Sequence, residues 1–216
     1  SNVYQNTGRV TAAISILEKT VKTARLTDSQ KGNLYNNLGS NYFLNTKPTI
    51  MQPNAFENAE KAFLKAVTLL KNDETHNEAL VTAYRKLSKL RLERNEPAIA
   101  LQYFEKAKIA FRKSATTNPR KKAQFFYDEA NILFKIGKPK EATEIITKIF
   151  KLLIPNYSNR KTILPAKISL YAETVLLDVL DLQAAIYNTQ KQPEKALESY
   201  ALSFHIEELF QLLLLY

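Results

Sequence analysis

Small and large apolar residues recur along this chain at helical spacing. Ala100 is followed four residues on by Phe104 and three further by Ala107, so all three fall on one face of a helix. The same small–large–small stripe stands at Ala59, Phe63 and Ala66. Looser copies lie at Ala142, Ile146 and Ile149, at Ala196, Tyr200 and Ser203, and at Ala13, Leu17 and Thr20. Twelve residues ahead of an anchor alanine is another small residue (Ser88, Ala130 or Ala184), and four ahead of that a large one (Tyr84, Phe126 or Leu180). Gly39 and Tyr35 take these parts for Ala59, with the glycine twenty residues ahead rather than twelve. Five residues ahead of the anchors stand the turn residues Gly8, Asn95, Gly137 and Lys191.

Each copy therefore predicts two antiparallel helices. The small residues let the pair approach closely and the large ones fill the groove toward the next pair. Pro97, Pro139 and Pro193 fit the first turn of each second helix, where a missing N–H costs nothing. The units fall at 1–25 (partial), 28–72, 74–114, 117–153 and 162–216, and together form one all-α repeat domain over 1–216.

The stretch "YNNLGSNY" contributes Tyr35, Leu38, Gly39 and Tyr42, and with Ala59, Phe63 and Ala66 it resembles the tetratricopeptide (TPR) repeat. The resemblance runs from about Tyr4 onward, although Glu129 and Gln183 stand where leucine is expected. Anchors are 46, 41, 42 and 54 residues apart, against about 34 in the standard repeat, so the likeness is to the long variant seen in kinesin light chains and in bacterial sensor or scaffold proteins. A HEAT-type array of roughly 40–47 residues shares the period, but the Ala–Phe–Ala stripe and Gly39 favour the TPR type. The resemblance implies a right-handed superhelical solenoid of antiparallel pairs. It also implies a non-catalytic scaffold that takes a peptide or neighbouring domain on its concave face.

Composition narrows the picture further. Four glycines and eight prolines are few for a β-sandwich, while 45% hydrophobic and 24% charged residues suit a helical protein with a real core. The absence of cysteine excludes disulfides, thiol nucleophiles and thiolate metal sites. No apolar run approaches the ~18 residues that cross a bilayer, so no membrane partner is expected and a cytoplasmic setting is. The net charge of +10 divides unevenly: +5 over 1–104, +9 over 105–161 (14 basic, 5 acidic) and −4 over 162–216. Arg112, Lys113, Arg120, Lys121 and Lys122, near Lys138 and Lys140, make the middle basic. Nucleic acid could use such a zone through counterion release, but the lysines spread over several faces and no aromatic interleaves with the "PRKK" run. A solvated surface is the expectation.

Two insertions, 45–54 with Pro48 and Pro53 and 154–165 with Pro155 and Pro165, predict long loops. The final "ELFQLLLLY" is apolar on every side, which predicts burial against something else. Two readings follow: the chain is the sensor or regulatory arm of a larger bacterial protein, for example one linked to a CHAT peptidase, or it dimerises through this helix.

The chain shows no catalytic constellation. His76 and His205 stand far apart, the glycines at 8, 32, 39 and 137 are isolated, and Glu207 and Glu208 point to different sides of a helix. No cofactor or metal is expected. In the TPR resemblance the first helix of each pair lines the concave face, at one and five residues past its large apolar residue. Those positions are Asn36 and Ser40, Arg85 and Lys89, Tyr127 and Asn131, then Asp181 and Ala185, with Phe43, Leu92 and Phe134 one turn on. Arg85 and Lys89 suit an acidic or carboxylate-bearing peptide. The carboxylate clamp of chaperone-binding relatives is not reproduced, because Asn36 replaces its first lysine and Asp128 an asparagine.

Overall fold

The structure, a computed structural model, describes residues 9–46, 53–72, 76–114, 116–154 and 174–214, with side chains to Glu208. The cores of both long loops and the apolar side chains from 209 onward lie outside the described residues. The chain falls into two compact units, Ser1–Thr116 and Thr117–Tyr216. The first holds α1 (Val10–Thr23), α2 (Asp28–Leu44), α3 (Ala55–Leu70), α4 (Asn77–Glu93) and α5 (Pro97–Lys113). The second holds α6 (Pro119–Lys135), α7 (Pro139–Leu153), α8 (Thr174–Thr189) and α9 (Pro193–Leu214). No strand occurs among the described residues.

The helices pack most extensively as the pairs α2–α3, α4–α5, α6–α7 and α8–α9. Within the first unit α1 lies on α2, α3 on α4, and α2 reaches α4. Within the second, α8 touches both α6 and α7.

The connection inside three pairs is one device used three times. Asn95, Gly137 and Lys191 adopt left-handed backbone at φ of 58°, 79° and 57°. The next N–H then reaches back to the third-last carbonyl: Glu96 to Arg91, Lys138 to Leu133 and Gln192 to Tyr187, each at 2.9 Å. This is the Schellman closure, which satisfies carbonyls a helix end would otherwise leave orphaned. Pro97, Pro139 and Pro193 follow two residues later and start the return helix with their φ already set. Two helix starts, those of α2 and α6, are capped by side chains. Thr27 and Gln30 form a capping box ahead of α2, and Asn118 Oδ1 accepts from the N–H groups of Arg120 and Lys121.

The stripe residues are the packing points. Ala59, Phe63, Ala66, Ala100, Phe104, Ala107, Ala142, Ile146 and Ile149 are all fully buried. Ser88 sits under Ala100 and donates to its carbonyl at 2.7 Å. A Cβ on Gly39 would stand 2.7 Å from Phe63 Cδ1 and Cε1, so glycine is what lets α2 and α3 close on each other. Gly32 serves α2 in the same way against Leu70.

The last copy departs from expectation. Tyr200 is 38% exposed, together with Leu197 at 66% and Phe204 at 67%, while Ala196, Ser199, Leu202, Ser203 and Ile206 carry the burial. In α3, α5 and α7 the residue four past the anchor is fully buried. In α9 no described helix covers that face, so its wedge stays open. Gln183 is no defect at a leucine position: it is buried in α8 and accepts from the buried Ser199 hydroxyl of α9 at 3.0 Å.

Polar ties add to the packing of the first unit. Tyr42 of α2 donates to Glu18 of α1, and burial together with that bond raises the phenol's pKa. Arg91 of α4 bridges Glu60 of α3 and, at 2.7 Å, Glu96. Arg94 pairs with Glu57 and lies 5.2 Å above the Phe56 ring.

Candidate functional site

The sequence proposes first-helix positions as the contact surface, and the helices α2, α4, α6 and α8 present them unequally. Asn36 is a correction. It is buried at 5%, and its amide donates to the Ala79 carbonyl of α4 at 2.9 Å, so it ties two helices together instead of facing a ligand. Its Oδ1 is enclosed without a partner. Ser40 is half-buried and donates to the Asn36 carbonyl one turn back.

On α4, Arg85 is half-buried and Lys89 exposed, one turn apart. They give the first unit two cations at adjacent helical positions. Leu92 stands half-buried one turn on, and Phe43 of α2 is buried at 8%. An anionic group at α4 would meet a guanidinium able to donate in bidentate fashion and a flexible ammonium.

The second unit offers different electrostatics. Tyr127 and Asn131 of α6 are half-buried. Burial pushes the Tyr127 phenol up to about 12, and the charges of Asp178, Asp128 and Asp181 push the same way. The phenol is therefore a neutral hydrogen-bond donor at any physiological pH, facing carboxylates. Asp181 is exposed and Ala185 half-buried on α8. An acidic ligand would be repelled here, so the six candidate positions do not make one surface of uniform sign.

Among the described residues no group of three or more His, Asp or Glu side chains could hold a metal ion, and no helix is long and apolar enough to cross a membrane. His76 immediately precedes α4. His205 is half-buried, with Nδ1 3.9 Å from Glu208. Of the basic zone, Arg112 and Lys113 close α5 in the first unit, while Arg120, Lys121 and Lys122 open α6 in the second.

One regularity lies outside the packing stripe. Six residues past the anchor stands a lysine in four of the five copies, at Lys19, Lys65, Lys106 and Lys148, and all four are exposed. Each lies on a second helix, so this cationic position belongs to the face opposite in role to the one the resemblance selects.

Comparison with known proteins places the fold. No family model and no curated protein matches the chain. Among solved structures it is similar to the nearly identical TPR-like repeats of a Podosopora anserina kinesin light chain, at 16% identity and a TM-score of 0.66, covering 97% of this chain and 92% of that one. A variant of the same protein aligns over the same extents at 16% identity with a TM-score of 0.68. BtubC (BKLC) of P. vanneervenii matches at 11% identity and a TM-score of 0.66, covering 97% of this chain and 78% of that one. The chain thus has the fold of TPR-like helical repeats, a fold that commonly mediates protein–protein interaction.

Proposed function

We propose that the protein is a non-catalytic binding module whose first unit takes a carboxylate-bearing segment of a partner protein on α4. The observation that carries this reading is the pairing of Arg85 and Lys89 one turn apart on a first helix of a TPR-like array. A rigid helix presenting a guanidinium and an ammonium gives an extended acidic segment directional bonds with little ordering cost on the protein's side. The acidic neighbours of Tyr127 limit this preference to the first unit; the second would take neutral or cationic groups.

Selection of 12-residue peptides from a display library tests the reading. Wild-type protein should enrich sequences rich in Asp and Glu. Arg85→Glu/Lys89→Glu, with an unchanged circular dichroism spectrum, should lose them. An unaltered selection would remove the α4 surface from the function.

A further inference from the structure

The last helix carries an apolar face at positions that hold a neighbouring helix elsewhere in the chain. One, four and eight residues past the anchor Ala196 stand Leu197, Tyr200 and Phe204, which are 66%, 38% and 67% exposed. The same positions are Glu60, Phe63 and Val67 in α3, and Thr143, Ile146 and Phe150 in α7. All six of those are buried or half-buried. Spaced i, i+3 and i+7, the three α9 side chains fall on one side of the helix. Apolar side chains gathered on one exposed face are the mark of an interaction surface.

The equivalent faces show what such a surface receives. On α3, Glu60 meets Arg91 of α4, and Phe63 shares a buried cluster with Leu87 and Leu90 of α4. On α7, Ile146 and Phe150 share a cluster with Val175, Leu176 and Val179 of α8. In both cases the occupant is a helix that sets aliphatic side chains three or four residues apart against the stripe. The α9 stripe then runs on into Glu207 and Glu208, both exposed. A cation on the occupant, one turn beyond its aliphatic residues, would meet a carboxylate there. A second α9 is a poor occupant, because glutamates would meet glutamates in either direction. Parallel packing sets Glu207 and Glu208 against their own copies, and antiparallel packing brings them toward Glu194.

We propose that this face of α9 docks an amphipathic helix of a partner protein, which stands to α9 as α4 stands to α3. Leucine- or valine-sized side chains of that helix would lie on Leu197, Tyr200 and Phe204, and a Lys or Arg would pair with Glu207. The surface shares no residue with the α4 site, and the inference does not rest on a ligand there.

Fluorescence anisotropy on the full chain tests it. The probe is a labelled 18-residue peptide with leucines at i, i+3, i+7 and i+10, two lysines one turn further, and alanine and glutamine elsewhere. A peptide of the same composition in scrambled order is the control. The ordered peptide should bind and gain helical circular dichroism signal in the complex, while the scrambled one should bind about tenfold more weakly or worse. Leu197→Ser/Phe204→Ser should weaken binding about tenfold or more, through lost apolar contact. Glu207→Lys should weaken it roughly threefold or more by reversing the charge at the end of the stripe. Arg85→Glu/Lys89→Glu should stay within about twofold of wild type, because those residues lie on another helix of the first unit. The free α9 variants should keep the wild-type melting temperature, since all three positions are exposed.

Three outcomes would overturn the proposal. One is an ordered peptide that fails to bind or binds no better than its scrambled control. Another is binding that survives both α9 variants, or is lost only in the Arg85/Lys89 variant. The third is a lower melting temperature in free Leu197→Ser/Phe204→Ser, or a concentration-dependent mass that this variant abolishes. Either would show the face already covered, by the chain itself or by a second copy.

Discussion

Gly39→Ala is the sharpest test of how the helix pairs are held together. In an isolated helix the change would be favourable by about 1 kcal/mol, because glycine costs more backbone entropy than alanine. Here the new Cβ would stand 2.7 Å from Phe63 Cδ1 and Cε1 and 2.9 Å from Cζ, with the ring fully buried. The ring would have to retreat by much of an ångström into a packed interior, and overpacking of this kind costs typically about 1–3 kcal/mol. Taking the upper half of that range, because a buried aromatic ring has no flexible end to move, the net loss is about 1–2 kcal/mol. With a urea dependence near 1–1.5 kcal/mol/M, the midpoint of the first unit's transition should fall by about 1 M. The chain lacks tryptophan, so far-UV circular dichroism and tyrosine fluorescence are the probes. Phe63→Leu supplies the cross-check: with the ring gone, Gly39→Ala should be neutral or stabilising, a coupling of about 1–3 kcal/mol in the double-mutant cycle. Wild-type stability in Gly39→Ala, or an undiminished penalty in the Phe63→Leu background, would show that close approach at Gly39 is not what holds α2 against α3.

Three further outcomes are expected. Lys191→Gly should stabilise the second unit by up to about 1 kcal/mol, since only glycine adopts φ near 57° without steric cost; a lower melting temperature would contradict the strain assigned there. Arg91→Met should destabilise by about 2–3 kcal/mol by leaving Glu60, 17% exposed, without its cation. Glu60→Leu in the same chain should restore most of that loss, and a thermal melt showing two additive losses would count against the pairing. Tyr127 titrates above its ordinary value of 10, so the stability it contributes is complete below pH 10 and disappears as pH rises from about 10 to about 12. Tyr127→Phe should accordingly remove one phenolate equivalent from the ultraviolet titration near pH 12; an equivalent missing near pH 10 would refute the burial argument.

The helix pairs, their turns and their packing stripes were legible because they depend on residues within one or two turns of each other. Asn95, Gly137 and Lys191 stand out five residues before an anchor, and each is the left-handed cap. The site was less legible because exposure is set by distant partners. Asn36 looks like a groove residue until the Ala79 carbonyl, 43 residues on, closes over it. The acidic setting of Tyr127 comes in part from Asp178 and Asp181 on α8, which no local pattern announces. Tyr200 keeps the spacing of the stripe, yet it is 38% exposed because no described helix covers that face of α9. The lysine six past four of the five anchors was readable from the period alone; what makes Lys106 different is a cleft it lines with Leu80, Tyr84 and Ile109.

The adjacency of packed helices also bears on how the chain acquires its structure. In both units the extensive contacts join helices that are neighbours or next neighbours in chain order. Chain closures during folding are therefore short, and proteins rich in local contacts fold in microseconds to milliseconds. Nucleation can begin at any pair and spread by docking one neighbour at a time. The pairs closed by tight left-handed turns, α4–α5, α6–α7 and α8–α9, have the least entropy to lose and are the natural starting points. Amide exchange should then divide into steps that follow helix pairs, with α1, which has a described neighbour on one side, opening first.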